Sequence, residues 1–189
     1  MKVIQLHQEE KQLIKLAVEN NRQAQQQIYA KFSSKMLSVC RQYIKDIHHA
    51  EDIMITGFMK VFTNLKNFEH KGSFEGWIRR IMVYECIDFL RVKKNNVNHK
   101  DIEDITVSEN ESVYEMEDFS VDDIQNMIDN LPDGYKMVFN LYAIEGYKHQ
   151  EIAEMLKISE GTSKSQLSNA RKLLQQQITD LKNKLNGTK

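Results

Sequence analysis

Short polar and cationic side chains crowd one segment of the sequence, the stretch HQEIAEMLKISEGTSKSQLSNARKLL from His149 to Leu174. Its second half carries Thr162, Lys164, Ser165, Gln166, Ser168, Asn169, Arg171 and Lys172. Hydroxyls, amides and cations are the groups that bind phosphates and the base edges of the major groove. The segment is therefore a candidate DNA-binding surface, although most helices also have a polar face that contacts only water.

The apolar residues of the same stretch predict the two helices that would position this surface. Ile152, Ala153 and Leu156 predict the inner face of a short helix, KIS predicts a turn, and Ser159 can cap the next helix. The inner stripe of that second helix consists of Leu167, Ala170, Leu174, Ile178, Leu181 and Leu185. On this register, Thr162, Ser165, Ser168, Asn169 and Lys172 face away from the core, flanked by Lys164, Gln166 and Arg171. The result is a helix-turn-helix, which favours DNA binding over a solvated face.

A second group of chemically active residues, His48, His49, Glu51 and Asp52, includes types that could bind a metal. Adjacent histidines on a helix diverge by about a hundred degrees, however, and no second cluster of ligands is apparent in the sequence. HQEIAE lacks the second histidine of HExxH, and the sequence has no P-loop, dinucleotide motif or nucleophile elbow. We therefore expect no metal site, no cofactor and no enzymatic activity.

Composition indicates one medium domain or two small ones. The 189 residues are 41% hydrophobic and 28% charged. Cys40 and Cys86 lack metal-binding spacing, which favours two buried thiols in a reducing compartment. Because no secretory leader or membrane-spanning apolar run is visible, we expect a cytoplasmic location without membrane insertion.

Helical periodicity extends along most of the chain. In the first half, apolar residues recur every three to four positions from Ile28 to Tyr43, from Ala50 to Leu65 and from Phe74 to Leu90. Three such stripes predict a small helical bundle. Gly72 and Gly76 permit a turn before the third helix, which Ser73 can cap.

The second half repeats this pattern before the helix-turn-helix. Val121 to Leu131 and Val138 to Tyr142 predict two helices, separated by a turn at LPDGY. Gly146 is suited to a helix C-cap.

An acidic, aperiodic segment separates the two groups of helices. Residues 101–118 carry eight acidic residues and no basic one, whereas Lys71–Lys94 carries six basic against three acidic residues. This contrast predicts a flexible linker. The predicted architecture is all-α, with two small helical domains: an N-terminal helical bundle at 1–95, an acidic linker at 96–119 and a C-terminal helix-turn-helix domain at 120–189.

Three segments in order resemble an extracytoplasmic-function sigma factor, a small two-domain member of the major bacterial sigma class. They are HAEDIMITGFMKVF, then GSFEGWIRRIMVYECIDFLR, then LPDGYKMVFNLYAIEGYKHQEIAEMLKISEGTSKSQLSNARKLL. The resemblance covers the chain from about Gln25 to Leu174. It implies a protein that directs RNA polymerase to promoters, helps to melt the DNA and starts transcription.

The resemblance also implies roles for particular residues. A surface for core polymerase is expected on or just behind Glu51, Asp52, Phe58, Lys60, Val61 and Phe62. Phe58, Val61 and Phe62 fit equally well as core residues, and for each alone we favour the core. The melted minus-ten element is expected to meet Asn64, Lys66, Asn67, Phe68, Lys71, Arg79, Arg80 and Arg91. The helix-turn-helix residues given above are expected to contact the minus-thirty-five element.

Several positions depart from the family pattern. Ile55-Thr56 stands where a Gln-Glu pair is common, His49 where Asp is common and Tyr84 where Asn is common. In the last helix, Gln166 and Asn169 occupy positions that often hold Arg, and Ser163 stands where a buried Val is usual. Fewer cations predict fewer phosphate contacts and weak promoter binding by the chain without polymerase.

The expected partners are bacterial RNA polymerase core and promoter DNA, and the sequence leaves open whether an anti-sigma factor also binds. Two other interpretations survive at this stage. One is an ordinary DNA-binding regulator, and the other is an interaction module that sequesters another factor. A sigma factor binds core polymerase, whereas a regulator binds palindromic DNA as a dimer.

Overall fold

The computed structural model describes residues 2–96 and 119–186, and these residues form helices and short connections with no strand. The all-α prediction is therefore confirmed. The α-helices are α1 (Lys2–Val18), α2 (Arg22–Tyr43), α3 (Ile47–Asn64), α4 (Phe74–Asn96), α5 (Val121–Asp129), α6 (Asp133–Phe139), α7 (His149–Leu156) and α8 (Glu160–Asn186). A 3₁₀ turn (Leu65–Asn67) follows α3, and a π-helical segment (Asn140–Ile144) follows α6. In the parts of the chain described here, no helix is long and apolar enough to span a bilayer.

The chain divides into two compact units, unit 1 at residues 1–92 and unit 2 at residues 93–189. The predicted linker, residues 96–119, lies outside the described residues except for its two ends. The flexibility of the linker and the domain boundaries at 95 and 120 therefore stay predictions.

Unit 1 is a helical bundle whose core follows the predicted apolar stripes. Ile28, Phe32 and Met36 of α2 are buried, as are Ile78 and Met82 of α4. Both cysteines are fully buried and neither forms a disulfide, as expected. Local caps define where the helices begin: Asn21 Oδ1 accepts from Ala24 N (3.0 Å) and Asp46 Oδ1 accepts from His49 N (2.9 Å). The His49 backbone N–H also lowers the pKa of the Asp46 carboxyl.

Helix α1 was not predicted from the sequence. Its residues Ile14 and Ala17 are buried, and the helix packs against α2 and against the 3₁₀ turn after α3. The ion pair between Lys31 Nζ and Glu10 Oε2 (2.7 Å) also joins α1 to α2. Helix α1 thus supports the segment that leads into the predicted minus-ten loop.

Unit 2 has its own core. A cluster of Leu131, Tyr135 and Ala170 packs with the half-buried Phe139, Leu173 and Leu174. Beside it lies a buried ion pair between Lys136 Nζ and Asp129 Oδ1 (3.8 Å), and Gln125 Nε2 donates to the same carboxylate oxygen (3.3 Å). A buried charge pair is costly to desolvate, so these additional contacts are needed to keep it.

The turn predicted at LPDGY is displaced. Asp133 and Gly134 lie in the first turn of α6, and the turn itself consists of Asn130, Leu131 and Pro132. Proline holds its φ at −52° immediately before the helix, and Asp133 suits the positive N-terminal end. Asp-Gly often occupies a turn, but in this chain the two residues begin a helix instead.

Candidate functional site

The helix-turn-helix of unit 2 is held by local contacts around its turn. Lys157 adopts a left-handed conformation (φ 56°) that ends α7. Ser159 Oγ accepts from Thr162 N (2.9 Å) and so caps α8, as predicted. Lys164 Nζ donates to Glu160 Oε1 (2.7 Å), and this bond lowers the pKa of the Glu160 carboxyl. Helix α8, the second helix of the helix-turn-helix, therefore begins at a fixed position relative to the turn.

The outward face of α8 is polar and cationic. Lys164, Ser165, Ser168 and Arg171 are exposed. Ser165, Ser168 and Arg171 are each three residues apart, and Lys164 is four residues before Ser168, which places the four on one side of the helix. Ser165 and Ser168 were predicted to face away from the core, with Lys164 and Arg171 flanking them, and their contact with DNA stays a prediction.

The other four predicted residues of α8 are half-buried, so part of the predicted register is wrong. Asn169 was expected to face away from the core, but its Nδ2 donates to Tyr135 Oη (3.3 Å) on α6. Gln166 lies over Gly134, where an added β-carbon would be 3.2 Å from Gln166 Nε2. Thr162 Oγ1 is hydrogen-bonded to Ser159 Oγ (2.8 Å), and Lys172 also lies at the edge of the helix packing. The outward face is rotated away from Asn169 because α6 covers that side of α8.

A chain of contacts missed by sequence reasoning links α7, the π-helical segment and α8. Ser163 is fully buried, and its Oγ shares a hydrogen bond of 2.9 Å with Nδ1 of His149. The His149 ring stacks on Tyr142, with centroids 4.7 Å apart and planes inclined by 23°. Arg171 lies over the same Tyr142 ring, with Cζ 5.7 Å from the centroid. The only sequence signal for this chain was Ser163 standing where an apolar residue is usual.

On α3, the residues predicted to bind polymerase divide between core and surface. Phe58 and Val61 are buried, so their side chains are core residues and cannot contact a partner directly. Phe62 is half-buried and Lys60 Nζ is 2.5 Å from Glu85 Oε1 of α4. These contacts hold α3 in the bundle, so the four residues mainly support the outer face of the helix.

The outer face of α3 instead exposes large apolar side chains, of which Ile55 and Met59 are the most exposed. Ile55 is 50% exposed and Met59 is 66% exposed, one helical turn apart. Asp52 and Thr56 are exposed beside them, and Glu51 is half-buried. Sequence reasoning noted Ile55 only as a departure and missed Met59, although both fall off the inner stripe and were detectable from periodicity.

The predicted minus-ten loop, residues 64–73, presents polar side chains around an apolar anchor. Asn64, Lys66, Asn67 and Lys71 are exposed. Phe68 is buried, contrary to its predicted role as a surface for a flipped base. Its ring contacts those of Phe74 (5.1 Å between centroids) and Trp77 (5.4 Å). A free aromatic ring would expose apolar area to water, and packing it here instead fixes the loop.

Backbone conformation also fixes this loop. His70 has φ 57° and Gly72 has φ 91°, and the His70 ring meets Phe68 edge-on, with centroids 4.7 Å apart. Ser73 Oγ accepts from Gly76 N (3.0 Å), which confirms the predicted cap of α4, but Gly76 lies inside the helix and forms no part of the turn.

The three predicted arginines of α4 have local contacts. Arg91 Nη1 donates to Asp88 Oδ1 (2.9 Å), and Arg80 lies over the Tyr84 ring (5.8 Å) and is exposed. Arg79 is half-buried.

No group of three or more His, Cys, Asp and Glu side chains could hold a metal ion in the described ranges, 2–96 and 119–186. His48 Nδ1 pairs with Glu51 Oε2 (3.7 Å) and His49 Nδ1 with Asp46 Oδ1 (3.5 Å). The two histidines thus have separate partners.

Comparison with known proteins decides the family. The model of Sigma-70 region 2 matches residues 28–96, and the model of Sigma-70 region 4 matches residues 121–174. The chain is similar to ECF RNA polymerase sigma factor SigW of Bacillus subtilis, with 30% identity over 163 residues that cover 79% of this chain and 86% of SigW. It belongs to the ECF sigma factors. This sigma factor acts in promoter recognition and transcription initiation, the work of regions 2 and 4.

Two further similarities support the family and the fold. RNA polymerase sigma factor SigV of Bacillus subtilis is 30% identical over 142 residues, which cover 72% of this chain and 80% of SigV. The sigma factor RpoE of Bartonella quintana, solved in complex with the anti-sigma factor NepR, has the same fold. That likeness has a TM-score of 0.53 at 20% identity and covers 82% of this chain and 96% of RpoE.

The family matches leave two helical segments of this sigma factor unassigned. Helix α1 precedes the region 2 match, and α8 continues from residue 174 to Asn186 beyond the region 4 match. Within region 4, the Ser163 departure now has a physical account. A hydroxyl can occupy the buried site because His149 supplies its hydrogen bond.

Proposed function

We propose that unit 1 of this sigma factor binds RNA polymerase core and the melted minus-ten element, and that unit 2 binds the minus-thirty-five element. The observation that carries the proposal is the exposed polar and cationic face of α8, placed on the second helix of a helix-turn-helix. Such a helix lies in the major groove in DNA complexes of this motif.

For the minus-thirty-five element, the four exposed residues of α8 are the primary contacts. Lys164 and Arg171 supply charge for phosphates, and Ser165 and Ser168 supply short hydroxyls that can approach base edges. Gln166, Asn169, Thr162 and Lys172 are placed at the margin of this surface, where their half-buried side chains can still present one polar end.

For RNA polymerase, the surface consists of Asp52, Ile55, Thr56 and Met59 on the outer face of α3, with Glu51 at its edge. Phe58, Val61 and Phe62 hold α3 in the bundle, and Lys60 joins it to α4 through Glu85. Isolated apolar side chains on a surface are ordinary, but two adjacent ones on an outer helix face provide area that a partner can bury.

For the minus-ten element, the loop amides and cations Asn64, Lys66, Asn67 and Lys71 are the candidate contacts for an unpaired strand. Arg79, Arg80 and Arg91 of α4 supply positive charge for phosphates. Phe68 acts behind the loop by anchoring it on Phe74 and Trp77.

We further propose that domains at residues 1–95 and 120–189 are joined by the acidic segment 96–119 acting as a flexible tether. The protein itself performs no catalysis, because forming phosphodiester bonds is the work of the polymerase. Its place of action is the cytoplasm, where bacterial RNA polymerase works. An anti-sigma factor is a further candidate partner, and the RpoE–NepR complex supports that class of partner.

Run-off transcription tests the proposal. The purified chain is mixed with bacterial core polymerase and a pool of fragments from its own genome. Discrete transcripts that require both proteins are expected, and their shared upstream sequences define the two promoter elements. The proposal is overturned if no transcript appears and the chain does not bind core polymerase.

Substitutions separate the roles of the two units in the same assay. Ile55→Asp with Met59→Asp should abolish binding to core polymerase and all transcripts. Lys164→Ala with Ser168→Ala should leave binding to core polymerase intact and lower promoter-dependent transcription. Lys182→Ala is the matched control, because it removes a cation from the same helix beyond the region 4 match.

A further inference from the structure

Tyr142 lies between the His149 ring of α7 and the exposed Arg171 of α8 and contacts both. It lies in the π-helical segment, where Glu145 N donates to Asn140 O (3.0 Å) across a wide turn. Wide turns of this kind reorient side chains and recur at functional sites. The Tyr142 ring is 37% exposed and contacts both His149 and Arg171.

The inner end of this series of contacts is a buried hydroxyl. Ser163 is buried in α8, and its hydrogen bond to Nδ1 holds the His149 ring at the start of α7. The near-parallel stacking of His149 then restricts the orientation of the Tyr142 ring. The contacts run from Ser163 of α8 to His149 of α7, then to Tyr142 and finally to Arg171 of α8. Arg171 lies about 12 Å further along α8 than Ser163.

The outer end leaves Arg171 able to bind an anion. A guanidinium that lies over an aromatic ring uses its flat face, whereas its N–H groups point outward in its own plane. An arginine held in this way keeps its N–H donors for an anion. Its side chain has also lost rotamer freedom before DNA binds. Less entropy is then lost when a phosphate binds.

We propose that Tyr142, oriented by His149 and Ser163, is a positioning residue that holds Arg171 ready for a DNA phosphate. This inference rests on the proposed function, in which the outward face of α8 binds the minus-thirty-five element. It adds a residue outside α8 to the determinants of promoter affinity.

The test compares variants of the full chain, assembled with core polymerase, on one promoter fragment obtained from the run-off assay. Dissociation constants are measured at several salt concentrations. Tyr142→Ala is expected to weaken binding about two- to fivefold, the scale of an exposed cation–π contact. The slope of log affinity against log salt should become shallower, approaching the loss of about 0.9 expected when Arg171→Ala removes one phosphate contact.

Three further variants make the result specific. Tyr142→Phe keeps the ring and should retain both affinity and salt slope. In the double variant, Tyr142→Ala should have no further effect once Arg171→Ala has removed the phosphate contact. Phe119→Ala removes a ring that contacts Lys182 at the same distance of 5.7 Å, outside the region 4 match, and should leave the salt slope unchanged.

The outcomes separate the two proposals. If Arg171→Ala lowers the salt slope but Tyr142→Ala does not, the positioning role is wrong and the proposed function stands. Tighter binding by Tyr142→Ala would mean that the ring holds Arg171 away from DNA, which also overturns the inference. If neither Arg171→Ala nor Lys164→Ala changes DNA binding, the assignment of α8 fails and the inference fails with it. Thermal melting of each variant identifies any loss that comes from unfolding. If Tyr142→Ala unfolds, Tyr142→Leu, which keeps apolar volume but removes the ring, takes its place, and unchanged affinity of that variant overturns the inference.

Discussion

Gly57 of α3 faces Met82 of α4 so closely that a β-carbon at residue 57 would overlap Met82 Sδ and lie 2.9 Å from Met82 Cε. Met82 is fully buried, so its thioether has little room to move. A side chain at residue 57 would therefore force the Met82 thioether to move within a filled core. This contact fixes the back of the helix whose outer face is proposed to bind polymerase.

Gly57→Ala should lower the free energy of unfolding of unit 1. Overpacking a filled core costs about 1–3 kcal/mol, whereas the gain in helix propensity from Gly to Ala is about 1 kcal/mol. The net loss is therefore expected to lie between about 0 and 2 kcal/mol. Gly161→Ala is the matched control, because its added β-carbon would be 3.7 Å from Ser159 Oγ, an ordinary contact. Urea unfolding of both variants should show opposite shifts, and a stabilised Gly57→Ala would contradict the packing.

The exposed apolar pair on α3 should govern affinity for core polymerase. Fully burying a side chain of this size stabilises a complex by about 1.5–3 kcal/mol. Met59→Asp should therefore weaken binding by roughly tenfold or more. Val121→Asp is the control, since Val121 is 82% exposed in the other unit. Equal affinity of Met59→Asp and the unaltered chain, measured by fluorescence anisotropy, would remove α3 from the interface.

Two substitutions on α8 should affect DNA binding in different ways. Lys164→Ala should weaken binding to all promoters by a similar factor and reduce the salt slope by about 0.9, because a phosphate contact carries no sequence information. Gln166→Ala should change preference at particular base pairs by about 1–3 kcal/mol, the range of one bidentate base contact. Competition binding against a panel of single-base promoter variants measures both. A uniform loss for Gln166→Ala would show that its amide only packs on α6.

The N-terminal cap of α5 should make unit 2 sensitive to acid. Ser120 Oγ and Ser120 N both donate to Asp123 Oδ2 (2.7 and 3.1 Å), and these bonds lower the pKa of Asp123 below its ordinary value of 3.8. A carboxyl whose pKa is lower in the folded state stabilises that state above the unfolded pKa and loses the effect as pH falls through the folded pKa. Unfolding free energy should therefore decline as pH falls below about 5.

Ser120→Ala should reduce that decline, because it removes the hydroxyl donor and the cap. Asp122→Asn removes a charge from the same helical turn but leaves the capping box intact, and it serves as the control. Denaturant unfolding at a series of pH values compares the three proteins. An unchanged pH dependence in Ser120→Ala would show that the cap does not link protonation to stability.

Local signals in the sequence were sufficient wherever a single side chain decides the structure. Ser73 and Ser159 were predicted as caps and both accept the expected backbone hydrogen bonds. Gly146 was predicted near a helix end and has φ 77°, which a glycine adopts without strain. Apolar periodicity likewise predicted the buried stripes of α2, α3 and α4, because one face of each helix must leave water.

The sequence did not predict features that depend on which face of a helix is covered by a neighbouring helix. The position of α6 turns Asn169 inward, and nothing in the local sequence of α8 indicates that neighbour. Phe68 carries both the aromatic chemistry of a base-binding residue and the apolar area of a core residue, so only the fold decides between them. Helix α1 was not predicted because only Ile14 and Ala17 are buried among its residues 9–18, and its packing on the 3₁₀ turn is a tertiary contact.

The buried Asp129–Lys136 pair has a consequence for how this protein can change over generations. Losing either partner alone leaves a buried charge that lacks this ion pair, at a cost of about 3–5 kcal/mol. Replacing both with apolar residues of similar volume can be neutral. Single replacements should therefore be purged, and the two positions should vary together among descendants of this gene. Covariation of these two positions would therefore be evidence of the contact, although neither residue touches DNA or polymerase in the proposed function.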